Sequence, residues 1–469
     1  MILRLPGGEN KLDQISHPLF AEQSVSTVAE RRAAGKARRM RVPRASHSAW
    51  VPPDDRSDPI SLLEESNRFR VPTLVPIRYG RMLTSPFAFL RGSAVVMAAD
   101  LATTPVTGIE VQMCGDAHLS NFGTYATPER KQVFDVNDFD ETLPGPWEWD
   151  VKRLVTSIVV AGRQNGYPDP GTIRAALYCL RAYRERMWKF GSMGHLAVWY
   201  TSIDARNVLK QVGRVNRPFI NRELEKASRH TSVTVFPQLA RKDNGQYTIR
   251  DNPPLITHLA DDQRANWLRA LREGYAASLS DDRQVLFHRY HIVDLAQKVV
   301  GVGSVGTYCA IALLLGNEDG DPLFLQLKEA QPSVWERYLA PSVYANQAQR
   351  VVNGQHLIQA ASDIFLGWTS NGSIDCSLRQ LRDRKETPDI ERLSREEFVT
   401  YAGLCGWTLA RAHARSGDPA IISGYLGSSD HFDRAVTAFA QTYADQNSRD
   451  YAALVKAARS GRIPVQPLE

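Results

Sequence analysis

Apolar and polar positions change their period from one block of the chain to the next. Up to about residue 56, charge, Ser and Pro dominate without a sustained period, which predicts an extended arm ending at Val51-Pro52-Pro53. A short helix is expected from Ile60 to Arg70, and the apolar second half of PTLVPIRYGRMLTSPFAFLRGSAVVMAADLA reads as a buried helix. A strand is expected from Ile109 to Met113, another at KQVFDV, and a helix from about Trp149 to Gln164. From roughly residue 169 to 290 helical periodicity alternates with basic loops, so this stretch reads as helical scaffold. At His291 the texture shifts to strand, glycine loop, strand, acidic turn and strand (HIVDLAQKVV, GVGSVG, TYCAIALLLG, NEDGD, PLFLQLKEA), and from about Ser394 it returns to helix.

Composition narrows the function classes. Of 469 residues, 43% are apolar and 23% charged, enough to bury a substantial core, and no apolar run approaches the roughly 20 residues of a membrane-spanning helix. The opening MILRLPGGENKLD lacks a signal-peptide core, so a cytosolic location without membrane contact is expected. Five scattered cysteines without a C-x-x-C pair fit neither a disulfide framework nor a zinc cage. Part of the net charge of +6 sits in Arg31 to Arg44, where seven of fourteen residues are Lys or Arg and none is acidic. That run reads as a solvated, partly disordered arm, the one place where nucleic acid or an acidic partner would bind.

The candidate chemistry begins at Gly115-Asp116, with Asn121 five residues on and Asp138-Phe139-Asp140 seventeen beyond that. Phosphoryl transfer from ATP needs a carboxylate that orients the attacking hydroxyl and side-chain oxygens that hold magnesium against the phosphates. Asp116 suits the first task, Asn121 and Asp138 the second, and Asp140 adds a carboxylate. Gly301, Gly303, Ser304 and Gly306 in GVGSVG would let backbone amides approach phosphate. A dinucleotide-binding Rossmann fold needs a helix directly after such glycines, whereas a hairpin into the strand Leu323 to Leu327 places Lys328 at the end of a third strand, where a kinase keeps its phosphate-gripping lysine. The hairpin also finds a use for the carboxylates. Glu336 is the expected acidic partner of Lys328, since Glu329 points to the opposite strand face. Arg78, Arg81 and Arg91 interrupt an apolar context and read either as ion pairs to the carboxylate-rich segment or as anion contacts. His413 is expected in the core or on a helix face.

GDAHLSN with NDFDE resembles the catalytic and metal loops of aminoglycoside-phosphotransferase-type and protein-kinase-like enzymes, and Asp150 in Trp149-Asp150 resembles the structural Asp that follows them. Over nearly the whole chain beyond the arm, the runs RYGRMLTSPFAFLRG, MCGDAHLSNFG, FDVNDFDETLPGPWEWDVKRL, QAASDIFLGWT, LRQLRD and LARAHARSGD are similar to a widespread bacterial family known only as a domain of unknown function. The kinase resemblance implies an α+β, bilobal, protein-kinase-like fold that is circularly permuted, because Asp116 and Asp138 precede Gly301 and Lys328. It implies a helical lobe over 57–290 carrying the catalytic and metal loops, a small β-rich nucleotide lobe over 291–385, and helices over 386–469 completing the first lobe. ATP and magnesium are the implied cofactors, an unidentified small-molecule or protein hydroxyl the acceptor, and Leu378 to Leu381 the strand before a hinge that sets Arg382 and Asp383 near the adenine. AMP transfer, or nucleotide binding without turnover, are alternatives on the same fold, and a Rossmann oxidoreductase is a more distant one. Cys114 stands where such enzymes usually carry His.

Overall fold

The computed structural model describes Leu19 and residues 26–466, except 206–207, 210–215, 244, 300, 302, 304, 318–319 and 382–383. Helices and antiparallel sheets make up a mixed α+β architecture. Helix α1 (Val28–Ala37) starts at a capping box between Thr27 and Glu30. Short helices follow: α2 (Pro59–Ser66), α3 (Val75–Met82), α4 (Pro86–Gly92) and α5 (Ala94–Leu101). The run expected as one buried helix is thus split at Gly92-Ser93, where Ser93 leaves helical geometry.

Strand β1 (Glu110–Met113) pairs antiparallel with β4 (Leu143–Pro146), and between them β2 (Phe122–Ala126) pairs with β3 (Gln132–Val136). Helix α6 (Trp147–Gln164) then runs through the main core, and almost every residue of it is buried. Helix α7 (Asp169–Phe190) packs beside it. After the scaffold region, a six-stranded antiparallel sheet forms from β5 (Ile256–His258), β6 (His291–Lys298), β7 (Cys309–Leu315), β8 (Pro322–Glu329), β9 (Gly367–Ser370) and β10 (Asp375–Gln380), in the order β9-β10-β8-β7-β6-β5. Helix α8 (Gln347–Ile358) lies between β8 and β9 in the chain. Three helices close the chain: α9 (Arg395–Ser416), α10 (Pro419–Leu426) and α11 (His431–Arg459).

Strand alternation sorts this sheet into two faces. Ala310, Ala312, Leu314, Leu323, Leu325 and Leu327 pack on one side with Trp267, Leu271 and Tyr275, while Ile311, Leu313 and Phe324 pack on the other with Ile249 and Phe236. The segment directly after the glycines is therefore a paired strand, not the helix a Rossmann unit needs. The scaffold region also contributes more strand than its periodicity shows, with a hairpin of Ala240–Asp243 and Gln246–Ile249 besides β5. Strands of three or four residues are too short to display a period.

The basic stretch differs most from its sequence reading. Arg31 pairs with Asp418 at 3.1 Å, Arg39 donates through Nε to the Tyr425 carbonyl at 2.8 Å, and Arg44 donates to the Leu426 carbonyl at 2.7 Å. Cationic side chains here satisfy the open carbonyls at the C-terminal end of α10. His47 and Trp50 are buried, so the folded body begins well before Asp58; residues 1–18 and 20–25 of the arm lie outside the described set. Close approach of α1 to α10 depends on glycine, because a Cβ at Gly35 would collide with the Ile421 carbonyl oxygen.

Gly35→Val should therefore push α1 off the body. The expected cost is about 1–3 kcal/mol of stability, together with faster tryptic cleavage between Arg31 and Arg44. Equal cleavage rates in both proteins would mean that α1 does not depend on this contact.

Candidate functional site

Between β1 and β2 the chain makes a loop from Cys114 to Asn121, and helix α6 holds it from below. Gly115 has φ +80°, and a Cβ there would strike the backbone of Glu141, so glycine is required. The backbone N–H groups of Cys114 and Gly115 donate to the two oxygens of Asp150, at 2.8 and 3.0 Å. His413 on α9 lies 3.2 Å from the same carboxylate and 2.9 Å from the Tyr183 hydroxyl, fully buried as expected. One turn further along α6, Arg153 is ion-paired with Asp116 and donates to the Leu90 carbonyl at 3.0 Å. The helix thus anchors both the loop backbone and the side chain of Asp116.

Asn121 donates its amide to the Asp116 carbonyl at 2.7 Å, which leaves its Oδ1 for the cavity it lines. The Asn137 N–H donates to the Asn121 carbonyl at 2.8 Å and brings Asp138 alongside. A cavity of about 210 Å³ is lined by Asp116, His118, Asn121, Asp138, Lys328 and Arg379, and by Gly301 and Gly303 of the glycine loop. Lys328 arrives from β8. Alternation sets Gln326 and Lys328 on one face, and their register partners Arg379 and Ser377 on β10 share it. The Lys328 ammonium lies 3.0 Å from Asp138 Oδ1 and 2.5 Å from Asp140 Oδ2, bridging residues 190 positions apart in the chain.

The electrostatics follow from that bridge. Burial raises the Asp138 carboxyl, but Lys328 and Arg379 outweigh it and hold the group well below its ordinary value. Asp140 goes the other way, pushed up by burial and by the neighbouring Asp138 charge. Burial alone would lower Lys328, yet the two carboxylates raise it. Burial pushes His118 down to about 4, so its imidazole is neutral at pH 7; its Nε2 lies 3.6 Å from Asp116 Oδ2.

Among the described residues, no group of three or more His, Cys, Asp or Glu converges to hold a metal ion. Asp138 and Asn121, which line one cavity, form a smaller donor set, with Asp140 two residues on. It suits magnesium, which usually takes one or two carboxylates and completes its octahedron with substrate phosphates and water.

Glu336 is not the partner of Lys328. Its carboxylate accepts the Ser333 N–H at 3.3 Å in a capping box and lies 3.9 Å from Arg350 Nε, because the two carboxylates of the Asp138 turn already hold the lysine. Glu329 is likewise turned away and accepts the Tyr308 N–H at 2.5 Å. Gly306 lies at the far end of the glycine loop, with φ +91° and its carbonyl accepting the Val71 N–H at 2.7 Å. Ser304, Arg382 and Asp383 lie outside the described residues. Sequence reasoning missed His118, Arg153 and Arg379. His118 and Arg153 were within reach, two residues after Asp116 and three after Asp150, whereas Arg379 becomes relevant only through the β8–β10 register.

A family model described as an uncharacterized protein conserved in bacteria (DUF2252) matches residues 70–457. Comparison with curated proteins and with solved structures found no match.

The bridging lysine makes a pH-dependent prediction. In the wild type the depressed Asp138 contributes stability that is present above its ordinary value of 3.8 and fades as pH falls. In Lys328→Met, mutual repulsion and burial should raise both carboxyls, whose favourable protonated form is lost as pH rises. The melting-temperature gap between wild type and variant should therefore widen from about pH 4 to about pH 7. A gap that stays constant or narrows would show that the lysine does not compensate these carboxylates.

Proposed function

We propose that this chain, which belongs to the bacterial family DUF2252, is an ATP- and magnesium-dependent phosphotransferase on a circularly permuted protein-kinase-like fold. The observation that carries this reading is the meeting of Lys328 with Asp138 at 3.0 Å, in the cavity that also holds Asp116 and Asn121 beneath Gly301 and Gly303. A lysine at the end of the third strand of a set, β6, β7 and β8, whose first connection is the glycine loop, facing an Asn and an Asp from successive loops, is the arrangement by which kinases grip phosphates. Chain order does not matter to such a cavity, since the same strands and loops meet whichever end is made first. The antiparallel meander after Gly306 supports the same reading, as does the crossing back to the helical body, where Glu386 exchanges backbone hydrogen bonds with Thr124 at 2.8 and 3.0 Å.

In this reading Asp116 orients the acceptor hydroxyl and takes its proton. The acceptor oxygen forms a bond to the γ-phosphorus as the bond from that phosphorus to the β–γ bridging oxygen breaks. The electron pair leaves on ADP, and the proton passes from Asp116 to solvent. Arg153, ion-paired with Asp116, holds its carboxylate aimed, which suits a loose transition state in which positioning is the larger contribution. Lys328 and Arg379 supply positive charge beside the transferred group. Magnesium, when held by Asp138 and Asn121, would offset charge on the phosphates. Besides chain order and Cys114, the chain departs from ordinary kinases at the lysine, which pairs with carboxylates of the Asp138 turn, while α8 brings Gln355, not Glu, to the neighbouring space.

Incubation with ATP labelled at the α- or the γ-phosphate tests the reading directly. Transfer of the γ-label alone is expected; retention of the α-label would mean AMP transfer, and no transfer to any acceptor, itself or water would leave a nucleotide-binding regulator. Asp116→Asn should lower transfer by about 10² or more while nucleotide affinity changes little, because the group acts in the transition state. Wild-type transfer in that variant would remove Asp116 from the chemistry. Asp138→Asn should keep the fold and lose most of the magnesium dependence of nucleotide binding, measured by calorimetry with and without the metal. Unchanged dependence would place the metal elsewhere.

A further inference from the structure

Beside the cavity of Lys328 lies a second one of about 330 Å³, and the two share Arg91, Asp116, Asp138 and Gly303 in their walls. Arg70, Arg78 and Arg91, from the chain around α3 and α4, line the second cavity, as does Arg337, which is paired with Glu65 at 2.9 Å. Arg81, on the same helix as Arg78, does not line it. Glu141 and Glu336 line it too, both occupied by backbone donors: the Val334 N–H reaches Glu141 at 2.8 Å, and the Ser333 N–H reaches Glu336.

Several other arginines of the body are held by carboxylates, although Arg415 is held by the Leu357, Trp199 and His356 carbonyls instead. Arg56 is held by Asp100 and Asp450, Arg153 by Asp116, Arg184 by Asp433 and Arg411 by Asp135. Among the described residues, no carboxylate lies within 4.0 Å of the guanidinium of Arg70, Arg78 or Arg91. Arg70 and Arg78 donate only to uncharged oxygens, to the Val305 carbonyl at 2.6 Å and the Gly92 carbonyl at 2.7 Å among them, and the Nε of all three is buried without an acceptor. Arg91 lies 6.0 Å over the ring of Phe87 and borders both cavities. Burial lowers the affinity of all three for their protons, and carboxylates beyond contact distance, Glu141 for Arg70 and Arg78 and Asp116 for Arg91, offset it only in part. Desolvated guanidinium groups without anions are costly, and a planar donor fork fits phosphate or carboxylate oxygens.

We infer that this second cavity is the acceptor site, and that the acceptor is a small hydroxyl compound carrying a phosphate or carboxylate group, which Arg70, Arg78 and Arg91 hold while its hydroxyl faces Asp116. The inference rests on the phosphotransferase reading and narrows its substrate to an anionic small molecule. An enclosure of this size, with charge on one wall and Asp116 at the junction, matches the scale of small-ligand sites.

The test is calorimetric titration of inorganic phosphate into the full chain, with and without saturating magnesium and a non-hydrolysable ATP analogue. Phosphate should bind in both states, and Arg91→Gln should weaken it about tenfold or more, while Arg91→Lys, which keeps the charge, should lose less. Thermal unfolding of the two variants checks that the fold is intact. If the nucleotide analogue displaces phosphate, the arginines serve the nucleotide's own phosphates and the inference falls. It falls equally if the wild type binds no phosphate or if Arg91→Gln binds it unchanged. Phosphate binding that depends on Arg91 in a protein that binds no nucleotide would instead overturn the phosphotransferase reading, and the acceptor role with it, leaving an anion site.

Discussion

Asp150 is the constraint from which the site is built. A carboxylate buried in the first turn of α6 can persist only if donors surround it, and here they are two consecutive backbone N–H groups of the Cys114–Asn121 loop and an imidazole from α9. Because the donors are backbone groups, the loop's path is set rather than merely its composition. Arg153, one turn later, then sets the direction of the Asp116 side chain. Asp135 repeats the device on β3: it is fully buried, ion-paired with Arg411 at 2.6 Å and receives the Ala360 N–H at 2.9 Å, so the strand leading to Asp138 is tied to both α9 and the chain after α8.

The sheet side is governed by alternation. Since β8 buries Leu323, Leu325 and Leu327 on one face, Gln326 and Lys328 must occupy the other, and the register with β10 adds Ser377 and Arg379 there. This face meets the Asp138 turn, where opposite charges offset the cost of bringing both surfaces out of water. The carboxylates are only about one-third exposed and the lysine less, so screening is weak enough for the ammonium to settle between them.

Arginines in this chain find acceptors in both carboxylates and carbonyls. Inside the body the chain pairs guanidinium with carboxylate repeatedly, and the N-terminal arginines use helix-end carbonyls instead. Arg70, Arg78 and Arg91 have no carboxylate within 4.0 Å among the described residues, although Arg78 also uses a helix-end carbonyl, that of Gly92, and the three line the cavity that Asp116 borders. Their carbonyl acceptors position them without neutralising them. A wall of oriented, uncompensated donors is what anion recognition requires.

The sequence by itself determined the local parts: glycine before Asp116, Asn121 on the same loop, Asp138 at the end of the next hairpin, a lysine closing a strand after a glycine loop, and apolar periods that mark β7 and α6. Each depends on neighbours a few residues away, so residue type and spacing suffice. Tertiary structure alone decided the partners. Lys328 reaches Asp138 across 190 positions and Asp140 beside it, and no spacing rule ranks them above a nearby Glu336. The basic run of Arg31 to Arg44 reads as solvated because it contains no acid, yet its acceptors are Asp418 and the end of α10, far along the chain. The same limit kept ion pairing and anion contact both open for Arg78 and Arg91. Electrostatic and hydrogen-bond partners are chosen by proximity in space, which the order of residues specifies only through the whole fold.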